Sequence, residues 1–251
     1  MLCRLGKRIL VQRRGDGGMR YRSHNKGKIA PASYPFLDSN NTVTGIVKDL
    51  LHERGRSVPL AKIVFNNKTS YLPAVNGLRV NQEISIGSSS EIQDGNILPL
   101  RDIPEGTSIC NIERTFGDGG KIAKSAGTSA LLYSKTADGS IIRLRSGKSI
   151  VVQTNCRATI GAMSAAGFKE KPFLKAGNKA RHHQAYGILH PKVRGVAMGS
   201  HYHPFGGGRH QSPHQSTSTS RNAPPGRKVG SIAASKTGPG RARRRSRISE
   251  V

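Results

Sequence analysis

The segment Thr42-Val43-Thr44-Gly45-Ile46-Val47-Lys48-Asp49-Leu50 is rich in β-branched and aliphatic residues and predicts a β-strand. A second strand is predicted at 60–65, and shorter candidates lie at 71–72 and 83–86. Turn signals separate these segments, namely Arg54-Gly55, Asn66-Asn67, Asn76-Gly77 and Gly87-Ser88. Short strands at this spacing favour a small antiparallel barrel over a parallel sheet.

A second β-rich block follows a boundary marked by Leu98-Pro99-Leu100. Its predicted strands cover 107–112, 130–133, 141–144 and 149–152. Ala137-Asp138-Gly139-Ser140 predicts a hairpin turn, because an Asp-Gly step accepts the positive φ angles that such a turn needs, and Ser146-Gly147-Lys148 predicts another tight turn. Each block is too small to bury much core alone, so we predict two barrels packed side by side.

The charge of the chain is strongly unbalanced, with 41 Lys and Arg against 14 Asp and Glu in 251 residues, a formal net charge of +27. Self-repulsion of this size opposes a compact isolated fold, so a polyanionic partner is expected. Nucleic acid is the first candidate, because releasing counterions from phosphates drives binding in proportion to the charges engaged. A membrane surface is the second, but the sequence shows neither an amphipathic basic helix nor a lipid anchor.

The apolar content is low for a chain of this length, with 35% hydrophobic and 5% aromatic residues, and predicts one or two small cores. No apolar run approaches the length of a membrane span, and no signal peptide is expected. Cys3, Cys110 and Cys156 are odd in number and widely separated, which fits neither a disulfide framework nor a metal site. This cysteine usage indicates a reducing compartment, and we expect a cytoplasmic protein.

Both ends of the chain are basic and lack periodicity. Residues 1–35 interleave Lys and Arg with Gly, and are either a solvated tail or, as the similar C-terminal composition favours, an arm that orders on RNA. From 172 onward a short basic helix is predicted within 174–184, and the chain ends in a basic run at 241–247. The predicted parts are an N-terminal extension at 1–35, barrels at 36–100 and 101–171, and a C-terminal extension at 172–251.

The segment 194–210 has neither strand nor helix periodicity and combines three consecutive glycines with clustered His and Arg. Its histidines are candidate metal ligands, but no Cys, Asp or Glu lies nearby, so no metal is predicted. A catalytic base also needs an orienting group, usually a carboxylate, and residues 171–249 contain no Asp or Glu. No catalytic residue is therefore predicted, and the histidines are expected to stack on bases or to bond phosphate.

Several motifs follow one another along the chain, namely Gly6–Gly15, 45–52, 59–65, 95–100, 103–107 and 223–230. Together they resemble the universal large-subunit ribosomal protein two family (L2), in its archaeal and eukaryotic form, nearly end to end. The resemblance implies a mainly β fold: an oligonucleotide-binding barrel followed by an SH3-like barrel, flanked by long basic extensions threaded into ribosomal RNA.

The resemblance also implies a structural, non-enzymatic role in the large ribosomal subunit during translation. Its implied partners are large-subunit rRNA, neighbouring ribosomal proteins and, through an intersubunit bridge, the small subunit, with no membrane. The chain would support subunit association in the cytosolic ribosome and reach toward the peptidyl transferase centre. No cofactor is expected, and any structural Mg²⁺ or K⁺ would be held by the surrounding rRNA.

Candidate RNA-binding residues lie in the two extensions. They are Arg13, Arg14, Arg194, His201, His203, Gly206, Gly207, Gly208, Arg209, Arg227 and Lys228. His203 matches the histidine of the family's His-Pro-x-Gly-Gly-Gly loop, but the family usually has Asn-Pro-Val and an acidic residue before it, where this chain has Gly199-Ser200-His201-Tyr202. We therefore expect the glycines to let the backbone lie close against RNA, with His203 as a packing or hydrogen-bonding contact.

Two other classes of function stay open at this point. One is a His-dependent transferase or hydrolase that uses the glycine loop, which would lose all turnover on His203→Ala. The other is a non-ribosomal single-strand binder with the same barrel architecture, which would show little preference for structured large-subunit rRNA.

Overall fold

Ten strands form one sheet in the computed structural model, which describes residues 9, 12–13, 16–36, 42–235 and 237. The strands are β1 Val43–Leu51, β2 Leu60–Phe65, β3 Lys68–Pro73, β4 Glu83–Ile86, β5 Ile97–Pro99, β6 Ser108–Cys110, β7 Ala130–Thr136, β8 Gly139–Leu144, β9 Ser149–Val152 and β10 Arg157–Ile160. Their spatial order is β3-β2-β1-β4-β5-β10-β6-β7-β8-β9. Neighbours are antiparallel except β4 and β5, which are parallel and meet at the single pair Ile86–Ile97.

The sheet encloses two main apolar cores, one for each half of the strand order. The first contains Val47, Ile63, Phe65, Ile84 and Ile97. The second contains Leu100, Ile109, Leu132, Ile142 and Ile160. Since the inward-facing residues of a closed or strongly curled sheet fill its interior, two small barrels explain two cores in one sheet. The predicted mainly β fold with two barrels is confirmed.

Two hairpin turns show how sequence fixes the strand ends. Asn66 and Asn67, with φ of 44° and 62°, form the turn between β2 and β3, as their amide side chains favour. Between β7 and β8 the turn lies where it was predicted, but the positive φ is confined to Gly139, at 151°. A Cβ at Gly139 would lie 2.7 Å from the Val152 carbonyl oxygen, so β9 also requires glycine there.

The two cores are joined by strands that the sequence pattern did not predict. Ile97–Pro99, in a stretch predicted to be a boundary, is the buried strand β5, and no strand was predicted at Arg157–Ile160, which is β10. The two pair with each other, and β10 continues to β6. Both strands are buried along their whole length, so each depends on long-range pairing more than on local periodicity.

A buried ion pair lies beside this junction. The Arg157 Nη2 atom is 2.8 Å from Oε1 of Glu113, and the two side chains are 6% and 0% exposed. Arg157 also donates to Glu113 Oε2 from Nε at 3.2 Å and from its backbone N–H at 3.0 Å, and the Gly119 N–H donates to Oε1 at 3.2 Å. The Glu113 carboxylate thus accepts four hydrogen bonds, which a buried charge needs.

Tyr34 belongs to the first core, although the sequence placed it in the N-terminal extension. Its hydroxyl donates to the Asn111 carbonyl oxygen at 2.6 Å and lies 2.6 Å from Thr159 Oγ1. Burial raises the pKa of the Tyr34 phenol well above its ordinary value of 10.0. The Pro35 carbonyl accepts from Arg157 Nη1 at 3.0 Å, so this part of the N-terminal segment is fixed to the barrels.

The chain divides into two compact units, and one of them, at 25–174, contains both barrels. The other comprises 1–24 and 175–251. It contains helix α1 at Ala176–Ala185, close to the predicted 174–184, and the parallel pair β11 Ser218–Thr219 and β12 Ser231–Ile232. Short 3₁₀ helices lie at Met19–Tyr21, Ala166–Lys169 and Gly195–Ala197.

The second unit has little core. Helix α1 buries none of its residues, and Phe205, Val229 and Thr219 are the buried positions of the described part of this unit. Thr219 Oγ1 donates to the Val229 carbonyl at 2.6 Å, which satisfies the buried hydroxyl. No described helix is long and apolar enough to cross a membrane. The basic run at 241–247 and Cys3 lie outside the described residues.

Candidate nucleic-acid interface

The glycine–histidine loop, residues 194–210, folds back on itself through backbone hydrogen bonds. The Gly207 N–H donates to the Met198 carbonyl at 3.0 Å, and the Gly206 N–H to the His203 carbonyl at 2.9 Å. The Tyr202 N–H donates to the Gly199 carbonyl at 3.0 Å. These bonds make the loop a compact structure rather than an extended segment.

The three glycines are required by the closure of this loop. A Cβ at Gly206 would lie 2.5 Å from the carbonyl oxygens of Met198 and Gly199, a distance that real side chains do not show. Gly207 and Gly208 have φ of 85° and 84°, a region that other residues rarely adopt. Contacts and backbone angles within the chain therefore explain why these positions are glycine. The approach of their backbone to RNA stays a prediction.

His203 is half-buried and its ring position is fixed on two sides. The ring lies directly against Gly195, where a Cβ would overlap it, and its centroid is 5.1 Å from that of Phe205. The Phe205 backbone N–H donates to His203 Nδ1 at 3.0 Å. Because Nδ1 must accept this bond, the neutral ring carries its proton on Nε2. Burial lowers the pKa of His203 from 6.5, which favours the same neutral form.

This protonation state decides what His203 can do chemically. A general base needs a free lone pair on a ring nitrogen. Here the Nδ1 lone pair is used by Phe205, and Nε2 carries the proton. Nε2 has no partner among the described residues, so His203 offers one neutral N–H donor at this position.

The other predicted RNA-binding residues are mostly exposed. Arg13, Arg194, His201, Gly208, Arg209 and Arg227 are exposed, Gly206, Gly207 and Lys228 are half-buried, and Arg14 lies outside the described residues. The Gly226 position lies close to the Gln12 amide, with 3.5 Å from a built Cβ to Nε2, so the neighbouring Arg13 and Arg227 come from chain segments that meet. Arg194 Nη2 donates to Gln211 Oε1 at 3.0 Å, which orients its guanidinium.

A second basic feature was missed by the sequence analysis. The 3₁₀ segment at 19–21 and helix α1 border a cavity of about 480 Å³ lined in part by Arg22, His24, Arg181 and His190. Gly187 permits the close approach, because a Cβ there would lie 2.7 Å from the Ser23 nitrogen. The signal was Arg and His on two segments far apart in sequence, which only the fold brings together.

Within the described part of the chain, no three or more His, Cys, Asp or Glu side chains are grouped so that they could hold a metal ion. Cys110 and Cys156 are buried free thiols. Burial raises the pKa of Cys110 to about 12 and that of Cys156 to about 11, which keeps both protonated at neutral pH.

Comparison with known proteins gives consistent matches. Residues 93–228 match the family model described as Ribosomal Proteins L2, C-terminal domain. The chain is 49% identical over 235 residues to the large ribosomal subunit protein uL2 of Cenarchaeum symbiosum, covering 93% of this chain and 97% of that protein. It is 48% identical over 244 residues to the uL2 protein of Korarchaeum cryptofilum, covering 96% and 98%. For the uL2 protein of Nitrosopumilus maritimus the identity is 47% over 243 residues, covering 96% and 100%.

The basic two-barrel fold and these matches together define a structural protein of the large ribosomal subunit. Such a protein acts in translation in association with ribosomal components. The chain belongs to the ribosomal protein L2 family, to which the curated uL2 proteins of archaea belong as well. The resemblance stated from the sequence is confirmed, and the two barrels are the oligonucleotide-binding and SH3-like barrels of this family.

Proposed function

We propose that the chain binds large-subunit rRNA through its basic unit at 1–24 and 175–251, and that the barrels recognise RNA shape and unpaired bases. The observation that carries this proposal is the combination of charge and packing in that unit. Residues 171–249 contain no Asp or Glu, and the described part of the unit buries only a few side chains. Such a segment needs a polyanionic surrounding to offset its self-repulsion and to supply packing.

The binding mechanism is electrostatic first. Arg13, Arg14, Arg194, Arg209, Arg227 and Lys228 contact phosphates, and the planar guanidinium groups bridge two phosphate oxygens at once. In the glycine–histidine loop, the N–H groups of Gly206 and Gly207 are already used, whereas the Gly208 N–H has no acceptor among the described residues. The Gly208 N–H and the His203 Nε2–H are therefore free to donate to RNA, and His201 is exposed in the same loop.

We further propose that this loop reaches toward the peptidyl transferase centre and that the protein supports association with the small subunit in cytosolic ribosomes, beside neighbouring ribosomal proteins. The chemistry at that centre belongs to RNA, and His203 positions RNA as a hydrogen-bond donor. The protein is not an enzyme in this proposal, because the Nδ1 lone pair of His203 is engaged and no carboxylate lies in the surrounding sequence.

The test is the salt dependence of binding to large-subunit rRNA. Replacing Arg194 and Arg209 together by Gln should make the slope of log K against log salt shallower by about one to two units. The matched control replaces Lys48 and Arg143, two exposed cations on the barrels, by Gln, and should change the slope less. An unchanged slope in the Arg194 and Arg209 variant would overturn the proposed contacts.

Two further observations test the proposal as a whole. The cellular protein should co-sediment with large subunits and be released only at high salt. Finding it entirely in the free pool, or finding that generic single strands compete as well as structured large-subunit rRNA, would refute the ribosomal role.

A further inference from the structure

A small cavity lies in the 25–174 unit, where β5 meets the turn between β9 and β10. Its volume is about 180 Å³, and it is lined by Pro99, Arg101, Phe116, Gln153 and Asn155. None of these residues belongs to the predicted RNA-binding set, which lies wholly in the other unit. The cavity combines one aromatic ring, two side-chain amides and one guanidinium group.

Phe116 is 44% exposed, yet its loop is held firmly. Asp118 accepts the Arg114 N–H at 3.1 Å on Oδ2 and the Gly120 N–H at 3.0 Å on Oδ1. The Arg157 guanidinium carbon lies 5.5 Å from the centroid of the Phe116 ring, within cation–π distance. An aromatic ring that is exposed but fixed in place can stack on a ligand with little further loss of conformational entropy.

The two side-chain amides at the cavity are exposed. The side chains of Gln153 and Asn155 have no hydrogen-bond partner in the described part of the chain. Each amide offers donors and an acceptor in one plane, the pattern that the edge of a nucleobase complements. Their backbone is fixed, because the Arg101 N–H donates to the Thr154 carbonyl at 3.0 Å and the Cys156 N–H to the Gln153 carbonyl at 3.1 Å.

Arg101 supplies positive charge at the rim of the cavity. Its Nη2 donates to Ser88 Oγ at 3.1 Å, and its Nε lies 3.5 Å from an Asp102 carboxylate oxygen. The side chains of Arg101 and Asp102 are 45% and 30% exposed, so this pair is screened by solvent and leaves Arg101 able to contact a phosphate.

We propose that this cavity binds the base of one unpaired RNA nucleotide. The base stacks on Phe116, its edge bonds the amides of Gln153 and Asn155, and Arg101 contacts the adjoining phosphate. The inference rests on the proposed RNA-binding function and adds a base-recognition site on the barrels. An apolar peptide side chain is the less suitable occupant, because it would leave both amides and the guanidinium without partners.

The test uses the full chain and two fluorescent RNA 12-mers, one of oligoadenylate and one with the same backbone but abasic, both followed by anisotropy. Phe116→Ala should weaken oligoadenylate binding about 5- to 100-fold, as alanine replacement of a stacking aromatic does, and leave abasic binding and the salt slope unchanged. Tyr133→Ala is the matched control, since Tyr133 is 53% exposed on β7 and does not line the cavity.

A second measurement does not depend on a variant. In NMR spectra of the wild-type chain, the side-chain amide signals of Gln153 and Asn155 should shift with oligoadenylate and not with the abasic strand. Equal shifts with both strands, equal losses in the Phe116 and Tyr133 variants, or displacement of oligoadenylate by a Phe-rich uncharged peptide would overturn the proposal. If the wild-type chain binds neither strand nor large-subunit rRNA, the underlying RNA-binding function fails as well, which is a distinct result.

Discussion

Glu113→Gln is the perturbation that best tests how the barrels are held together. The glutamine keeps the volume of Glu113 but removes its charge, and its Nε2 cannot accept a hydrogen bond. Of the four donors that reach this carboxylate, those on the Nε2 side lose their acceptor, and the guanidinium of Arg157, 6% exposed, loses its counter-charge. Breaking a buried ion pair by changing one partner destabilises by about 3–5 kcal/mol, and we expect a loss of free energy of unfolding in this range.

The assay is urea unfolding at moderate salt, which screens the self-repulsion of the +27 chain. Circular dichroism follows the transition, because the chain has no Trp. The matched control is Asp102→Asn, which removes the exposed pair with Arg101 and should change stability by less than about 1 kcal/mol. Replacing Glu113 and Arg157 together by Met should destabilise less than the sum of the single changes. A Glu113→Gln loss within 1 kcal/mol of zero, on the order of an exposed pair, would refute the reasoning.

The remaining predictions concern the glycine–histidine loop and the buried thiols. Gly206→Ala should lower the free energy of local unfolding of the loop by about 1–3 kcal/mol, because its Cβ would clash with two carbonyl oxygens. The readout is faster hydrogen exchange at 195–207. Gly177→Ala, at an uncrowded position in α1, is the control and should not change this exchange. Burial lowers the pKa of His203 below 6.5 in the folded loop, so the unfolded loop takes up the proton first as the pH falls. The loop should therefore keep its full stability above pH 6.5 and become less stable as the pH falls below that value. NMR titration measures this pKa, and a His203 pKa at or above 6.5 would contradict the prediction. Cys110 and Cys156 should resist thiol reagents at pH 8 until the chain unfolds, which mass spectrometry of the modified peptides checks, and rapid modification of either in the native protein would contradict their burial.

The sequence predicted strands where local patterning and the final structure agree. β2 and β4 match their predicted ranges, and the Asn66-Asn67 turn forms where its residue types favour it. β5 contains a proline and β10 a charged residue, so neither has a strand pattern of its own. They are strands because each pairs with the other and Arg157 has Glu113 as a buried partner, information that lies far away in the sequence.

For the candidate site, sequence patterning identified the residue types but not their contacts. The glycines of the loop were attributed to RNA, whereas Gly206 packs against Met198 and Gly199 of the same chain. The proton position on His203 follows from the Phe205 N–H, two residues away in sequence but visible only in the folded loop. Tyr34 gave no signal because the sequence around it has neither strand nor helix periodicity.

The pairing of β5 with β10 bears on how this protein is made. β5 completes the first core, but one of its edges is covered only by β10, which is the last of the ten strands in the chain. During synthesis from the N-terminus, that edge stays open, and the Tyr34 hydroxyl has no Thr159 beside it, until residues 157–160 have been made. Such non-local contacts slow folding, and an unpaired strand edge can pair with strands of other chains. The nascent first barrel is therefore expected to need protection from aggregation, and both barrels should reach their final state together after synthesis of β10.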